Sequence, residues 1–215
     1  MHAYIREPFN ALSHLAGALL SFIALLMMAI KASYNQAPAI HLAAVLIFGI
    51  SLMCLYTASA IYHSVKASPR FIAFLRKLDH SMIYALIAGS YAPFCLIALE
   101  GTLGTVLFAL VAVIGLSGIF FKMIWFHSPR WLSTVLYIAM GWIIVFAVVP
   151  LAGQLSLVGL LLLVGGGILY TVGGIIYALK PEMFSHLRLG FHEIFHLFIL
   201  AGSLCHFLAV YFYVL

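Results

Sequence analysis

The residues of this 215-residue chain best suited to chemistry lie near its C-terminus, in Gly190-Phe191-His192-Glu193-Ile194-Phe195-His196. On a helix, residues i and i+4 share a face, with Cβ atoms roughly 5–6 Å apart. His192 and His196 can therefore each turn one nitrogen toward a single ion. The same stretch satisfies H-E-x-x-H, the pattern in which two histidines hold zinc and the glutamate is the general base of a peptidase. Taken alone, it would give Glu193 that role.

Two other stretches carry matching residue types. Ser59-Ala60-Ile61-Tyr62-His63 sets a hydroxyl and an imidazole on one helix face, and Leu78-Asp79-His80 stands at the start of a later apolar run. Each has a plain reading by itself: interhelical hydrogen bonding for Ser59 and His63, and capping of a helix N-terminus for Asp79. Glu7-Pro8-Phe9-Asn10 with Ser13 and His14 reads as a turn and cap leading into a helix. Glu7, Asn10 and His14 fall three to four apart and read as an interfacial polar face, with a functional face as the alternative.

The elements that must position these groups cross a membrane. Apolar residues make up 66% of the chain and charged residues 7%, too few charges to cover the surface of a soluble domain. A hydrocarbon core about 30 Å thick takes roughly 20 apolar residues to cross. Seven such spans are predicted, near 12–30, 40–62, 82–99, 103–124, 132–149, 155–179 and 189–213. This is an all-α, seven-transmembrane helix bundle, read as one domain over 1–215. The first span is too long for a signal peptide's apolar core and has no small-residue cleavage pattern before Lys31.

The formal charge of +5 does not point to nucleic acid, because the basic residues sit at span ends rather than in one patch interleaved with aromatics. With alternating spans, Arg6, Lys66, Arg70, Arg76, Lys77, Lys122, Arg130, Lys180 and Arg188 share one side and Lys31 alone takes the other. The positive-inside rule makes the first side cytoplasmic, with the N-terminus in and the C-terminus out. Cys54, Cys95 and Cys205 lie within spans and read as packing thiols. Lys66 to Lys77 reads as a basic loop, residues 33–38 as a short outer loop, and His41 as solvated. Pro93 should kink the third helix. Gly115, Gly118, Gly165 to Gly167, Gly173 and Gly174 read as close helix contacts. Trp125, Trp131, Tyr137 and Tyr177 fit interfacial belts, and Trp142 should pack inside.

At 1.5 Å of rise per residue, His63, Asp79, His192 and His196 fall at one depth, within the cytoplasmic third of the bilayer. Three helices deliver them there, with Ser59 one turn away. Three imidazoles leave the fourth position of a tetrahedral zinc open, as in catalytic sites. Zinc brings the pKa of water to about 7; Asp79 could accept that proton and Ser59 steady a developing oxyanion. His206 lies about 15 Å further along its helix and reads as a buried hydrogen-bonding histidine. His80, His186 and His127 read as interfacial, with His80 the candidate to orient a ligand imidazole from behind.

At these residues the chain resembles the hemolysin III family, the bacterial branch of the progestin and adipoQ (adiponectin) receptor superfamily, related more distantly to alkaline ceramidases. The likeness spans essentially the whole chain. It is carried by Glu7-Pro8-Phe9-Asn10 with Ser13-His14, Ser59-x-x-Tyr62-His63, Asp79-His80-x-x-Ile83-Tyr84, Gly89-x-Tyr91-x-Pro93, His192-Glu193-Ile194-Phe195-His196, Gly202-Ser203 and His206-Phe207. The resemblance implies seven helices with zinc held on the cytoplasmic side by His63, His192 and His196, attended by Asp79 and Ser59. In the receptor branch glutamine commonly follows the first histidine of the pair, which speaks against Glu193 as base. It further implies a multi-pass protein of the cell inner membrane whose partners are membrane lipids or fatty acids, active in lipid and energy homeostasis. Zinc-dependent hydrolysis of lipid amides is the activity it suggests; a non-catalytic sensor with a structural zinc, or a haemolysin-like pore, are the alternatives.

Overall fold

The structure is a computed structural model, and it describes residues 5–125, 128–181 and 189–215. The expectations for His127, His186 and Arg188 lie outside the described residues. The described chain is helical: α1 (Pro8–Tyr34), α2 (Ala39–Ser64), α3 (Pro69–Pro93), α4 (Thr102–Ile124), α5 (Arg130–Trp142), α6 (Val148–Gln154), α7 (Leu157–Leu179) and α8 (Phe191–Ala209). One π turn (Phe94–Ala98) extends α3 and another (Val210–Val214) extends α8, while a 3₁₀ segment (Ile143–Ala147) joins α5 to α6. Seven helical stretches are long and apolar enough to cross a bilayer, with α5 and α6 sharing the fifth. The bundle is the one expected.

The third span begins well before its predicted start. Ser68 caps α3 by accepting the Phe71 N–H at 3.4 Å, and Pro69 takes the first turn, where its missing N–H costs nothing. Arg70, Arg76 and Lys77 therefore lie on the helix and not in a basic loop. Asp79 sits about three turns inside α3, so it does not cap the helix. The same span is the most buried of the seven, 67% of its most apolar window. It runs through the centre of the bundle, so Asp79 meets the interior.

Pro93 ends the regular part of α3, since it has no N–H to donate and its ring crowds the preceding turn. The helix relaxes into the π turn, closed by the Leu99 N–H on the Phe94 carbonyl at 3.0 Å. Two residues before the proline, the Tyr91 hydroxyl reaches the break in the fifth span. It donates toward the Met140 and Gly141 carbonyls (2.9 and 2.7 Å) and accepts the Ile144 N–H at 2.8 Å. Backbone groups freed by the 3₁₀ segment are thus satisfied within the protein, as a lipid environment demands.

Small residues set the close approaches. A Cβ on Gly118 would stand 2.4 Å from the Tyr84 ring, and one on Gly166 would stand 2.4 Å from His206 and 3.1 Å from the Gly202 carbonyl. Gly115 and Gly173 are comparably tight, whereas Gly165 and Gly167 face open space. Of the thiols, Cys95 packs in the core while Cys54 is exposed on the lipid face. At the end of the bundle carrying the C-terminus, Lys31 donates to the Tyr211 carbonyl at 2.5 Å, and His41 meets Glu100 at 3.2 Å rather than being left to solvent.

Candidate metal centre

His63 occupies the last turn of α2, and His192 and His196 the first turns of α8. One ligand atom from each lies within 4.8 Å of the others, close enough to share one ion. His63 and His196 are each 1% exposed. The Nε2 atoms of His63 and His192 face each other at 3.4 Å.

What orients His63 comes from the N-terminal segment. The Glu7 and Arg6 N–H groups donate to the His63 and Ser64 carbonyls at 3.0 and 3.3 Å, fastening the start of α1 to the end of α2. The Glu7 carboxylate does not cap its own helix. It turns to His63, whose Nδ1–H donates to Glu7 Oε2 at 2.5 Å, while the Asn10 amide donates to the same oxygen at 3.3 Å. Arg6 pairs with the other carboxylate oxygen at 3.2 Å and lies 4.3 Å over the Tyr62 ring. Burial works to raise the Glu7 pKa, but the His63 imidazole with its hydrogen bond, the Asn10 amide and the Arg6 guanidinium outweigh it and hold the carboxyl below its usual value.

This arrangement suits a metal ion. With its proton on Nδ1, His63 presents a lone pair on Nε2, aimed at His192. A carboxylate behind an imidazole is the arrangement that fixes the ligating tautomer at metal sites. Three imidazoles in apolar surroundings suit zinc among the transition ions. The residues present fit the group.

His14 stacks flat against His196, with ring centroids 3.6 Å apart and planes 8° from parallel, and Tyr56 meets His14 edge-on at 5.0 Å. Below them Ser203 bridges the Tyr56 and Tyr170 hydroxyls at 2.6 and 2.8 Å, tying α2, α7 and α8 together. Asn10 and His14 are therefore buried against the histidines rather than interfacial, with Glu7 half-exposed at their edge. Their spacing was visible in the sequence; their azimuth was not. His80 is held elsewhere, its carbonyl by the Tyr137 hydroxyl (3.0 Å) and its Nε2 by Tyr177 (3.4 Å), so those tyrosines face inward rather than forming a belt. Glu193 folds back toward the helix start, where its carboxylate would lie 2.7 Å from a Cβ on Gly190.

The His site opens on a cavity of about 260 Å³ to which all seven spans contribute. Asp79, Ser59, His14, His192 and His196 line one end, and the wall continues past Tyr91 and Trp142 to His206. Asp79 and Ser59 are both buried and lie beside each other. Trp142 packs inside as predicted, donating to Thr171 Oγ1 at 2.9 Å. From His196 to His206 the cavity follows α8 for about 15 Å, half the hydrocarbon thickness. His206 donates from Nε2 to the Leu163 carbonyl at 3.2 Å.

The family model described as "Haemolysin-III related" matches residues 2–207. The chain belongs to the haemolysin III family. Among curated relatives, it is 40% identical over 216 residues to "Hemolysin-3" of Bacillus cereus, covering 100% of this chain and 95% of that one. It is 42% identical over 207 residues to the "Hemolysin-3 homolog" of Bacillus subtilis (strain 168), covering 96% and 93%. As a haemolysin III protein it is a multi-pass membrane protein, and the three histidines that could hold a metal meet where the family-like motifs converge.

Proposed function

We propose that this haemolysin III protein is a zinc enzyme of the cell inner membrane that hydrolyses lipid amides. One observation carries the reading: the Glu7–His63 hydrogen bond leaves a lone pair facing His192 at the mouth of a largely apolar cavity that also holds Asp79 and Ser59. His63, His192 and His196 would hold the ion. When bound, zinc supplies a Lewis acid that polarises a carbonyl and acidifies water. Asp79 accepts the proton of the attacking water on its carboxylate and passes it to the departing amine. The Ser59 hydroxyl donates to the oxygen on which charge develops. The apolar wall takes the acyl chain and keeps bulk water out.

A second reading is a non-catalytic lipid sensor in which zinc staples α2 to α8; the Glu7 tie and the His14 stack, which already join α1 to both, favour it. The relatives' names invite a third, a pore. Among the described residues the charged groups on the cavity wall, Arg76, Asp79, Lys122 and Arg130, come from the same end of the bundle as the His site, and the wall from Tyr91 and Trp142 to His206 carries none, so no charged path crosses the bundle.

Metal content and turnover decide between the first two. Detergent-purified wild type should hold about one zinc per chain, lost in His63→Ala and His192→Ala. Asp79→Asn should keep the zinc and abolish hydrolysis of a lipid amide panel. Retained turnover in Asp79→Asn removes the mechanism, and full zinc with no turnover by the wild type selects the sensor.

A further inference from the structure

The far end of the cavity holds a polar group that hydrolysis at the His site does not use. His206 lines the cavity from α8, about 15 Å along the helix from His196, and is 6% exposed. Its Nε2 donates to the Leu163 carbonyl at 3.2 Å. A Cβ on Gly166 would stand 2.4 Å from Cδ2 of the ring and 2.6 Å from Nε2, so that edge lies against α7 and the Nδ1 edge turns away from it. Phe94 and Tyr170 meet the ring edge-on, with centroids 6.1 and 5.2 Å away. Nδ1 itself is buried with no hydrogen-bond partner.

What Nδ1 needs follows from the other nitrogen. A carbonyl only accepts, so Nε2 carries the proton; a second proton would put an uncompensated charge among Phe94, Tyr170 and Leu163, so Nδ1 keeps its lone pair. It is an acceptor without a donor, and leaving it so is costly. The donors on this half of the wall are engaged elsewhere. Ser90 donates to the Ile87 carbonyl at 2.8 Å, Tyr91 toward the Met140 and Gly141 carbonyls, Trp142 to Thr171, and Thr171 to the Gly167 carbonyl at 2.7 Å, while Tyr170 is joined to Ser203. A water would need about two to four polar partners, which the aromatic and aliphatic flanks of the ring do not supply. The missing donor therefore belongs to whatever fills the cavity. Asp79, Ser59, His14, His192 and His196 gather at the opposite end, so an amphiphile lies with its head there and its chain toward His206. Leu151 and Leu160 extend the apolar wall for the rest of the chain. An extended chain advances about 1.2 Å per bond, as an extended peptide backbone does, so about twelve bonds span the distance between the two histidines.

We infer that the cavity selects acyl chains bearing a hydroxyl about twelve bonds from the head, with that hydroxyl donating to His206 Nδ1. The inference rests on the reading that an acyl chain fills the cavity, and not on zinc or on turnover. A plain chain leaves Nδ1 unmet, and a chain hydroxylated elsewhere buries its own hydroxyl against apolar side chains. His206 is thus a specificity-determining residue set half a bilayer away from the His site.

The test is displacement of radiolabelled octadecanoate from the detergent-solubilised full chain by unlabelled octadecanoate, 12-hydroxyoctadecanoate and 6-hydroxyoctadecanoate. The three share one head and one chain length, so their ratio reads the hydroxyl alone. In the wild type the 12-hydroxy acid should displace the label about fivefold better than octadecanoate, and the 6-hydroxy isomer no better than octadecanoate. In His206→Leu, which keeps a side chain of similar size, the advantage of the 12-hydroxy acid should vanish. Equal displacement by octadecanoate and the 12-hydroxy acid in the wild type overturns the proposal and leaves the acyl reading standing, whereas no saturable binding of the label removes both. An equal advantage for the 6-hydroxy isomer places recognition away from His206, and an advantage kept in His206→Leu removes that residue as the acceptor. The wild-type comparison decides the matter even where the variant does not fold.

Discussion

Replacing Glu7 with glutamine tests whether the N-terminal segment sets the metal affinity. Glu7 Oε2 accepts the Nδ1–H of His63 at 2.5 Å, and His63 is otherwise sealed from solvent. Carboxylates placed behind ligating imidazoles contribute about 10–100-fold in metal affinity, or roughly 1.4–2.7 kcal/mol. The Glu7 side chain is 40% exposed, so water screens part of its charge and the lower end of that range applies. Glu7→Gln keeps an acceptor but loses the charge, and zinc affinity should fall about tenfold. Glu7→Ala also strips a buried N–H of its partner, which adds about 1–3 kcal/mol, so its loss should be clearly larger. Competition between the purified protein and a fluorescent chelator measures both. If either variant binds zinc within twofold of wild type, the hydrogen bond is not orienting a ligand and the reasoning fails.

The other expectations concern the scaffold. Tyr91→Phe removes the hydroxyl that satisfies the backbone at the break in the fifth span; leaving the Ile144 N–H without its acceptor and the Gly141 carbonyl without this donor should destabilise the protein by about 1–3 kcal/mol. An unchanged thermal midpoint in detergent would show that the 3₁₀ segment needs no such anchor. Gly118→Ala places a methyl 2.4 Å from the Tyr84 ring and should cost about 1–3 kcal/mol by forcing α3 and α4 apart, read by the same melt. Gly165→Ala, facing open space, should melt with the wild type.

Hydropathy located the seven spans because it reports contact with lipid, and every span must make that contact somewhere. It misplaced the start of α3 for the same reason. Arg70, Arg76 and Lys77 lower the local average without interrupting the helix, whose true start is marked by Ser68 and Pro69, a local signal independent of polarity. That error changed the meaning of Asp79. At a helix start it would be a cap; about three turns in, on the most buried span, it is a carboxylate facing a cavity. The break between α5 and α6 had no comparable signal, because it depends on a hydroxyl from a different helix.

The His site was legible as depth and not as direction. Counting 1.5 Å per residue brings His63, Asp79, His192 and His196 to one level, but it cannot say which way α1 turns Glu7 and His14. That choice is made by the packing of α1 between α2 and α8, which puts the Glu7 carboxylate on His63 and the His14 ring on His196. The two contacts act on different ligands from one helix. A displacement of α1 would therefore release the tautomer of His63 and the tilt of His196 together. The candidate metal centre is thus coupled to a span that contributes no ligand, and a lipid or a partner bearing on α1 would be felt at the three histidines.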